Sequence, residues 1–166
     1  MSQIVYRCCL AGVALALTVR GLQAQEPERP LDLATFPRTT LEIVHQAAGQ
    51  TQRFSFQVWV ADTPQRAAQG LMFVSDLPET LGMVFPVAPP RVENMWMKNT
   101  YIELDMLFID THGRVSKIIQ RAAPLSLQTL SSDNPVSAVL ELRGGQAAKL
   151  GLQNGDAVSW KKPAAQ

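Results

Sequence analysis

Cysteine occurs only twice in this sequence, as the adjacent pair Cys8 and Cys9 near the N-terminus. The pair heads an apolar run, Cys8 to Val19, of 12 residues, with Arg7 before it and Leu22-Gln23-Ala24 after it. A basic start, a short apolar stretch and small residues at a cleavage point are the pattern of a secretory signal peptide, here residues 1–24. A lipoprotein signal would carry its cysteine after the apolar run, not ahead of it. Once the signal is removed the chain has no cysteine, which excludes disulfides, a thiolate nucleophile and thiolate metal ligation. A domain of about 140 residues can bury a sufficient core without such bridges.

Histidine is almost as scarce: His45 and His112 are the two in the chain. Their spacing matches no metal-ligand pattern, so no metal site is expected, and a Ser-His-Asp triad lacks an oriented base. No glycine-rich loop follows a strand, which removes nucleotide chemistry and leaves no cofactor called for. Beyond the signal there is no apolar run near the roughly 20 residues that span a bilayer, so no stable membrane span is expected. Charge of one sign is also lacking. The whole chain has 15 Lys and Arg against 14 Asp and Glu. Without Arg7 and Arg20 the balance becomes 13 to 14, a net charge of −1. Such a chain has no electrostatic reason to bind nucleic acid or an anionic membrane.

What remains is a single β-rich unit. Residues 25–39, with Pro27, Pro30 and Pro37, read as a linker, and residues 40–162 as the domain. Thr40 to Gln46 and Arg53 to Val60 alternate apolar and polar residues around Ala47 to Gln50, the pattern of a β-hairpin. Asp62-Thr63-Pro64 begins a short helix, with a capping oxygen and then proline at its first position, and Gly70 ends it. In the proline-rich stretch that follows, Leu71-Met72-Phe73 and Met83-Val84-Phe85 read as irregular or edge strands. Asp105 to Asp110, Val115 to Ala122, Val136 to Arg143 and Ala157 to Trp160 read as strands, with a second short helix at Gly145 to Leu150. Six to seven strands and two short helices imply a mostly β fold, a compact barrel-like or sandwich domain.

Chemistry concentrates in one place. Trp96-Met97-Lys98-Asn99-Thr100 sets a cation, an amide and a hydroxyl ahead of Asp105, which opens the apolar run Met106-Leu107-Phe108-Ile109. Burying such groups unpaired costs roughly 2–7 kcal/mol for a neutral one and more for a charge, so they must pair with one another or with a ligand. Glu103 and Asp105, two residues apart, point to the same side of an extended chain and form a candidate acid/base pair. The plainer alternative solvates Glu103 and has Asp105 pair with Lys98 or cap a backbone turn. Met72, Met83, Met95, Met97 and Met106 fall within 35 residues, interleaved with aromatics. They can fill a core or line an adaptable pocket, while the single Met95-x-Met97 pair is thin support for a soft metal. The C-terminal run Gly145 to Asp156 is similar to the helix–turn–strand end of a PDZ domain, which would make the chain a peptide-binding module.

Several separated pieces together resemble the bacterial family catalogued as domain of unknown function 192. They are Ala61-Asp62-Thr63-Pro64 with Arg66, Gly70-Leu71-Met72, Gly82-Met83 with Phe85, and Trp96-Met97-Lys98-Asn99-Thr100 with Leu104-Asp105. Val139-Leu140-Glu141-Leu142 and Gly151-Leu152 with Gly155-Asp156 complete them. The chain departs from the pattern at Val74, where a basic residue is usual, at Met95 for an aromatic, and at Glu103 for a proline. The resemblance implies a compact, predominantly β domain, often exported, with no established activity.

These readings converge on an exported, periplasmic, non-catalytic domain that binds a small molecule or a cell-envelope partner. Arg66, Trp96, Lys98, Asn99, Thr100, Asp105 and Glu141 are its candidate binding residues, with Asp105 orienting Lys98. The alternatives are an acid/base enzyme with Asp105 as base and Lys98 stabilising negative charge, and a purely structural polar network.

Overall fold

The computed structural model describes residues 30–47 and 49–161; the signal segment read at residues 1–24 lies outside them. In chain order the strands are β1 (Arg38–Ala47), β2 (Gln50–Val60), β3 (Leu81–Arg91), β4 (Asn94–Met95), β5 (Leu104–Ile109), β6 (Val115–Ala122), β7 (Leu130–Ser131), β8 (Val136–Arg143) and β9 (Ala157–Trp160). Helices α1 (Pro64–Gln69) and α2 (Gln146–Leu150) are both short. Seven strands form one sheet in the order β6-β5-β8-β3-β2-β1-β9, and β4 pairs with β7 apart from it. The mostly β reading holds, with β4 and β7 in addition to the seven strands of the main sheet.

The sheet is not closed into a barrel, although its two edges meet at one corner. There the Val115 N–H donates to the Asp156 carbonyl, the Gly155 N–H to the Val115 carbonyl and the Val158 N–H to the Gly113 carbonyl, at 2.7–2.9 Å. Curling gives the sheet two buried faces. Leu41, Ile43, Phe56, Val58, Leu107, Leu140 and Leu142 fill the first. Met83, Phe85, Met97, Leu104, Met106, Phe108 and Val139 belong to the second. That second face is packed by irregular chain, including Leu71, Leu77 and Phe36. Part of the lead-in read as a linker therefore lies on the domain.

Alternation accounts for β1 and β2, which pair antiparallel with Leu41 opposite Phe56 and Ile43 opposite Phe54. The Thr63 hydroxyl caps α1 by accepting from the Arg66 N–H at 3.2 Å, and Gly70, at φ 52°, stops it. The helix lies on the crossover from β2 to its parallel neighbour β3. All six residues of β5 are buried, because β6 and β8 flank it and side chains cover both faces.

Two expectations need correction. Leu71-Met72-Phe73 is a turn, not a strand. Met83-Val84-Phe85 lies inside the sheet, between β2 and β8, rather than at an edge. The prolines explain how this is possible. The ladder to β2 runs only from Leu81 to Val84, and the register with β8 shifts between Pro86 and Arg91. Pro89 and Pro90 thus stand where few N–H groups are needed.

Gly82 permits the close approach of β3 to β8. A Cβ there would lie 2.6 Å from the Glu141 carbonyl oxygen and 2.9 Å from Leu142 Cδ2. Gly82→Ala is expected to cost about 1–3 kcal/mol in urea unfolding, since the Glu141 carbonyl and the Leu142 side chain must both move. A loss below about 0.5 kcal/mol would contradict this packing.

Candidate functional site: a cavity over a buried carboxyl

On the second face a cavity of about 320 Å³ opens between β3, the end of α1 and the segment that carries β4. Its walls are mostly apolar, with Met72, Phe85, Met95 and Trp96, while Gln69, Arg91, Glu93, Asn94, Thr100 and Glu141 supply the polar and charged groups. Of the five clustered methionines, Met72 and Met95 line this cavity, whereas Met83, Met97 and Met106 are wholly buried in the core beside it.

Glu141 arrives there because β8 alternates. Ala138, Leu140 and Leu142 face the first core, and Val139 and Glu141 the second. Register sets Glu141 between Met83 of β3 and Met106 of β5. The residue is 4% exposed, and its Oε2 has no hydrogen-bond partner. Burial pushes the carboxyl up from 4.5 to about 8, so it is mostly protonated at neutral pH.

The other candidate residues do not gather into one cluster. Asp105 pairs in register with Leu142, which puts its side chain on the opposite sheet face from Glu141. Asp105 Oδ1 accepts from the N–H groups of Arg121 (2.8 Å) and Gly145 (2.9 Å), and Oδ2 from that of Ala147 (2.7 Å). It does not orient Lys98. The expected Lys98–Asp105 pair is replaced by a backbone cap, because three amides converge on the carboxylate. Lys98 is exposed, with Nζ 5.3 Å from the centroid of the Trp96 ring. Glu103 likewise leaves Asp105 and pairs with Arg121 at 2.7 Å. Arg66 binds Asp62 at 2.6 Å and the Thr35 carbonyl at 3.0 Å, and lies over Phe36.

Trp96, Thr100 and Glu141 are thus the candidate residues that share the cavity. Thr100 closes a tight turn, its N–H donating to the Met97 carbonyl at 3.1 Å, with Asn99 at φ 54°. The Asn99 carbonyl accepts from the Phe73 N–H and the Thr100 carbonyl from the Leu125 N–H, and Phe73 and Leu125 also have positive φ. Bulky residues pay for that conformation, and such strain clusters near functional sites.

Two features escaped the sequence reading. Arg91 and Glu93, which sit at the cavity with a 3.0 Å ion pair, carry no local signal in a run of prolines. His45 is not isolated: its Nδ1 lies 2.8 Å from Asp156 Oδ1, and both side chains are buried. Asp156 Oδ2 also accepts from the Gln153 N–H, so the pair fastens β1 to the turn before β9. The in-phase series Leu41, Ile43, His45 was the available sign that this histidine is buried. Among the described residues no three His, Cys, Asp or Glu side chains converge on a metal position.

The family model for domain of unknown function 192, described as Uncharacterized ACR, matches residues 43–160. The chain belongs to this family. Among solved structures, the DUF192 chain is similar to a "putative transcription regulator" from Sinorhizobium meliloti, with a TM-score of 0.70 and 35% identity. That match covers 75% of this chain and 95% of the other. A protein of unknown function from Novosphingobium aromaticivorans also has a TM-score of 0.70, with 36% identity over 74% of this chain and 85% of its own. No curated protein matches. Family membership puts the run from Gly145 to Asp156 inside the DUF192 domain, where its likeness to a PDZ terminus is local. Among the described residues no helix is long and apolar enough to cross a membrane.

Proposed function

We propose that this DUF192 protein is an exported, periplasmic, non-catalytic domain that binds a small molecule in the cavity over Glu141. The observation that carries the reading is the unpartnered carboxyl at that cavity. A buried polar group without a hydrogen bond costs on the order of 1–3 kcal/mol, and an apolar side chain would fill the position at no such cost. A mostly apolar cavity with a few convergent polar groups and one strongly shifted carboxyl is the usual form of a small-molecule site. Its volume falls at the small end of the roughly 300–1,000 Å³ such sites occupy.

Export rests on the first 24 residues, with Arg7 ahead of the apolar run and small residues at its end. An acid/base enzyme draws less support. Asp105 has both oxygens committed to backbone amides, and the cavity lining includes one hydroxyl side chain, Thr100, and no histidine. A regulator of transcription, the name borne by the Sinorhizobium neighbour, finds no support in a mature chain of net charge −1.

The test is native mass spectrometry of the protein recovered from the periplasm of cells expressing the full chain. A retained small-molecule adduct is expected, with occupancy down about ten-fold in Glu141→Gln, a loss of about 1.4 kcal/mol. Recovery from the cytoplasm alone would refute export. An adduct unaffected by Glu141→Gln would move the site elsewhere.

A further inference from the structure

The unpartnered buried atoms describe the chemistry of this cavity. Among the described residues, two buried side-chain nitrogen or oxygen atoms lack a hydrogen bond, Glu93 Oε2 and Glu141 Oε2. Both are carboxyl oxygens, and both residues line the cavity above. Arg91 Nη2 approaches Glu93 Oε2 to 3.0 Å, but not in line for a hydrogen bond. Among the described residues no buried side-chain nitrogen is left without a partner. Glu93 Oε2 is an acceptor, and Glu141 Oε2 becomes one once its carboxyl gives up the proton, so the pair suits a ligand that brings N–H donors and can displace that proton.

The walls fit a cation as well. Phe85 and Trp96 offer aromatic rings and Met72 and Met95 polarizable thioethers, surfaces that stabilise positive charge in a partly dry site. Lys98 already places its ammonium over the Trp96 ring, which shows that this indole accepts a cation. Resting on the proposed site, and going one step further, we infer that the ligand is a protonated amine on an apolar body, its N–H groups directed at Glu141 and Glu93. A carboxylate or phosphate ligand would instead meet two acidic side chains and an arginine already occupied by one of them.

Charge bookkeeping around Glu141 supports a proton-linked mode of binding. From β3 and the chain after it, the charged groups at the cavity are Arg91 and Glu93. On α1, Arg66 is held by Asp62 and the Thr35 carbonyl. On the 96–100 turn, Lys98 is engaged by Trp96. On β5, Asp105 faces the other side of the sheet. An arriving ammonium therefore meets the Glu141 carboxyl directly and favours its ionised form. The carboxyl proton leaves to solvent as the ion pair forms, so charge is conserved.

Calorimetric titration of the purified protein near neutral pH tests this with phenethylamine, phenethyl alcohol and phenylacetate as probes. Two buffers of different ionisation enthalpy report the protons released. Phenethylamine is expected to bind about ten-fold or more tighter than the alcohol and to release close to one proton, with phenylacetate silent. Glu141→Gln should abolish the release and equalise amine and alcohol, and its unfolding midpoint at low pH confirms that it folds. Equal binding of amine and alcohol to the native protein would overturn the amine class and leave the cavity as a site. Silence from phenethylamine would overturn the amine class even where mass spectrometry finds another retained ligand. Silence from every probe together with no retained adduct would overturn the site as well.

Discussion

Asp105→Ala is expected to destabilise the domain by about 4 kcal/mol in urea unfolding, more than any other single truncation proposed for this protein. The carboxylate is wholly buried and accepts from three backbone amides, those of Arg121, Gly145 and Ala147. Hydrogen bonds to a charged acceptor contribute about 1.5–3 kcal/mol each, and their loss leaves amides that the interior cannot satisfy. The position also matters for α2. Its N-cap residue is Gly145, which has no side chain to cap the helix, so Asp105 supplies the cap from a strand 40 residues away. Asp105→Asn retains one acceptor oxygen and is expected to cost about half as much, which keeps the measurement possible if the alanine variant does not fold. Lys98→Ala should change stability by less than about 0.5 kcal/mol and be additive with Asp105→Asn, because the two side chains share no contact. A coupling above about 1 kcal/mol would restore the pair that the sequence suggested.

Stability should also fall as pH rises through the neutral range, and Glu141 should account for the fall. Its carboxyl titrates near the usual 4.5 in the unfolded chain and near 8 in the folded one, because burial disfavours the charge. Below about pH 4.5 both states hold the proton, and this group's stabilising contribution is present in full. Between the two values the folded state binds more protons, so stability declines with a slope approaching about 1.4 kcal/mol per pH unit. Through the folded value the contribution is lost, and above it the slope from this group ends. The total is several kcal/mol, on the order of what a domain of this size has to spare. Glu141→Gln keeps the shape and removes the titration, so the difference between wild type and variant isolates the effect. Urea unfolding at intervals from about pH 5 to pH 9 should show wild type losing ground steadily to the variant. A constant difference across that range would mean the carboxyl is paired or solvated in the folded protein. A bound amine would flatten the slope, since it stabilises the ionised form that burial penalises.

Much of this fold is local in origin. The hairpin of β1 and β2 follows from alternating residues around a turn. The bounds of β6, β8 and β9 follow from apolar runs bounded by glycine, proline and aspartate. Thr63-Pro64 and Gly70 delimit α1 through capping chemistry that needs no distant partner. The contradiction between Asp105 and the apolar strand that follows it is equally plain in the sequence, whereas Glu141 stands there only as a candidate binding residue within Val139-Leu140-Glu141-Leu142.

What those two carboxylates do was decided only when strands were paired. Adjacent strands share faces according to register, and register is set by contacts between residues far apart in the chain. The pairing of Met106 with Glu141 and of Asp105 with Leu142 puts one acid against a cavity and the other under a ring of amides, on opposite sides of the same sheet. The internal place of β3 has the same origin, since its prolines disqualify an inner strand until one sees that its β2 ladder stops at Val84. The residue pattern alone is enough for an apolar-cored β domain with an acid, Asp105, set against an apolar strand. The tertiary structure decided which acid is satisfied by the protein and which is left facing a space, because only packed strands define where backbone amides converge and where they do not.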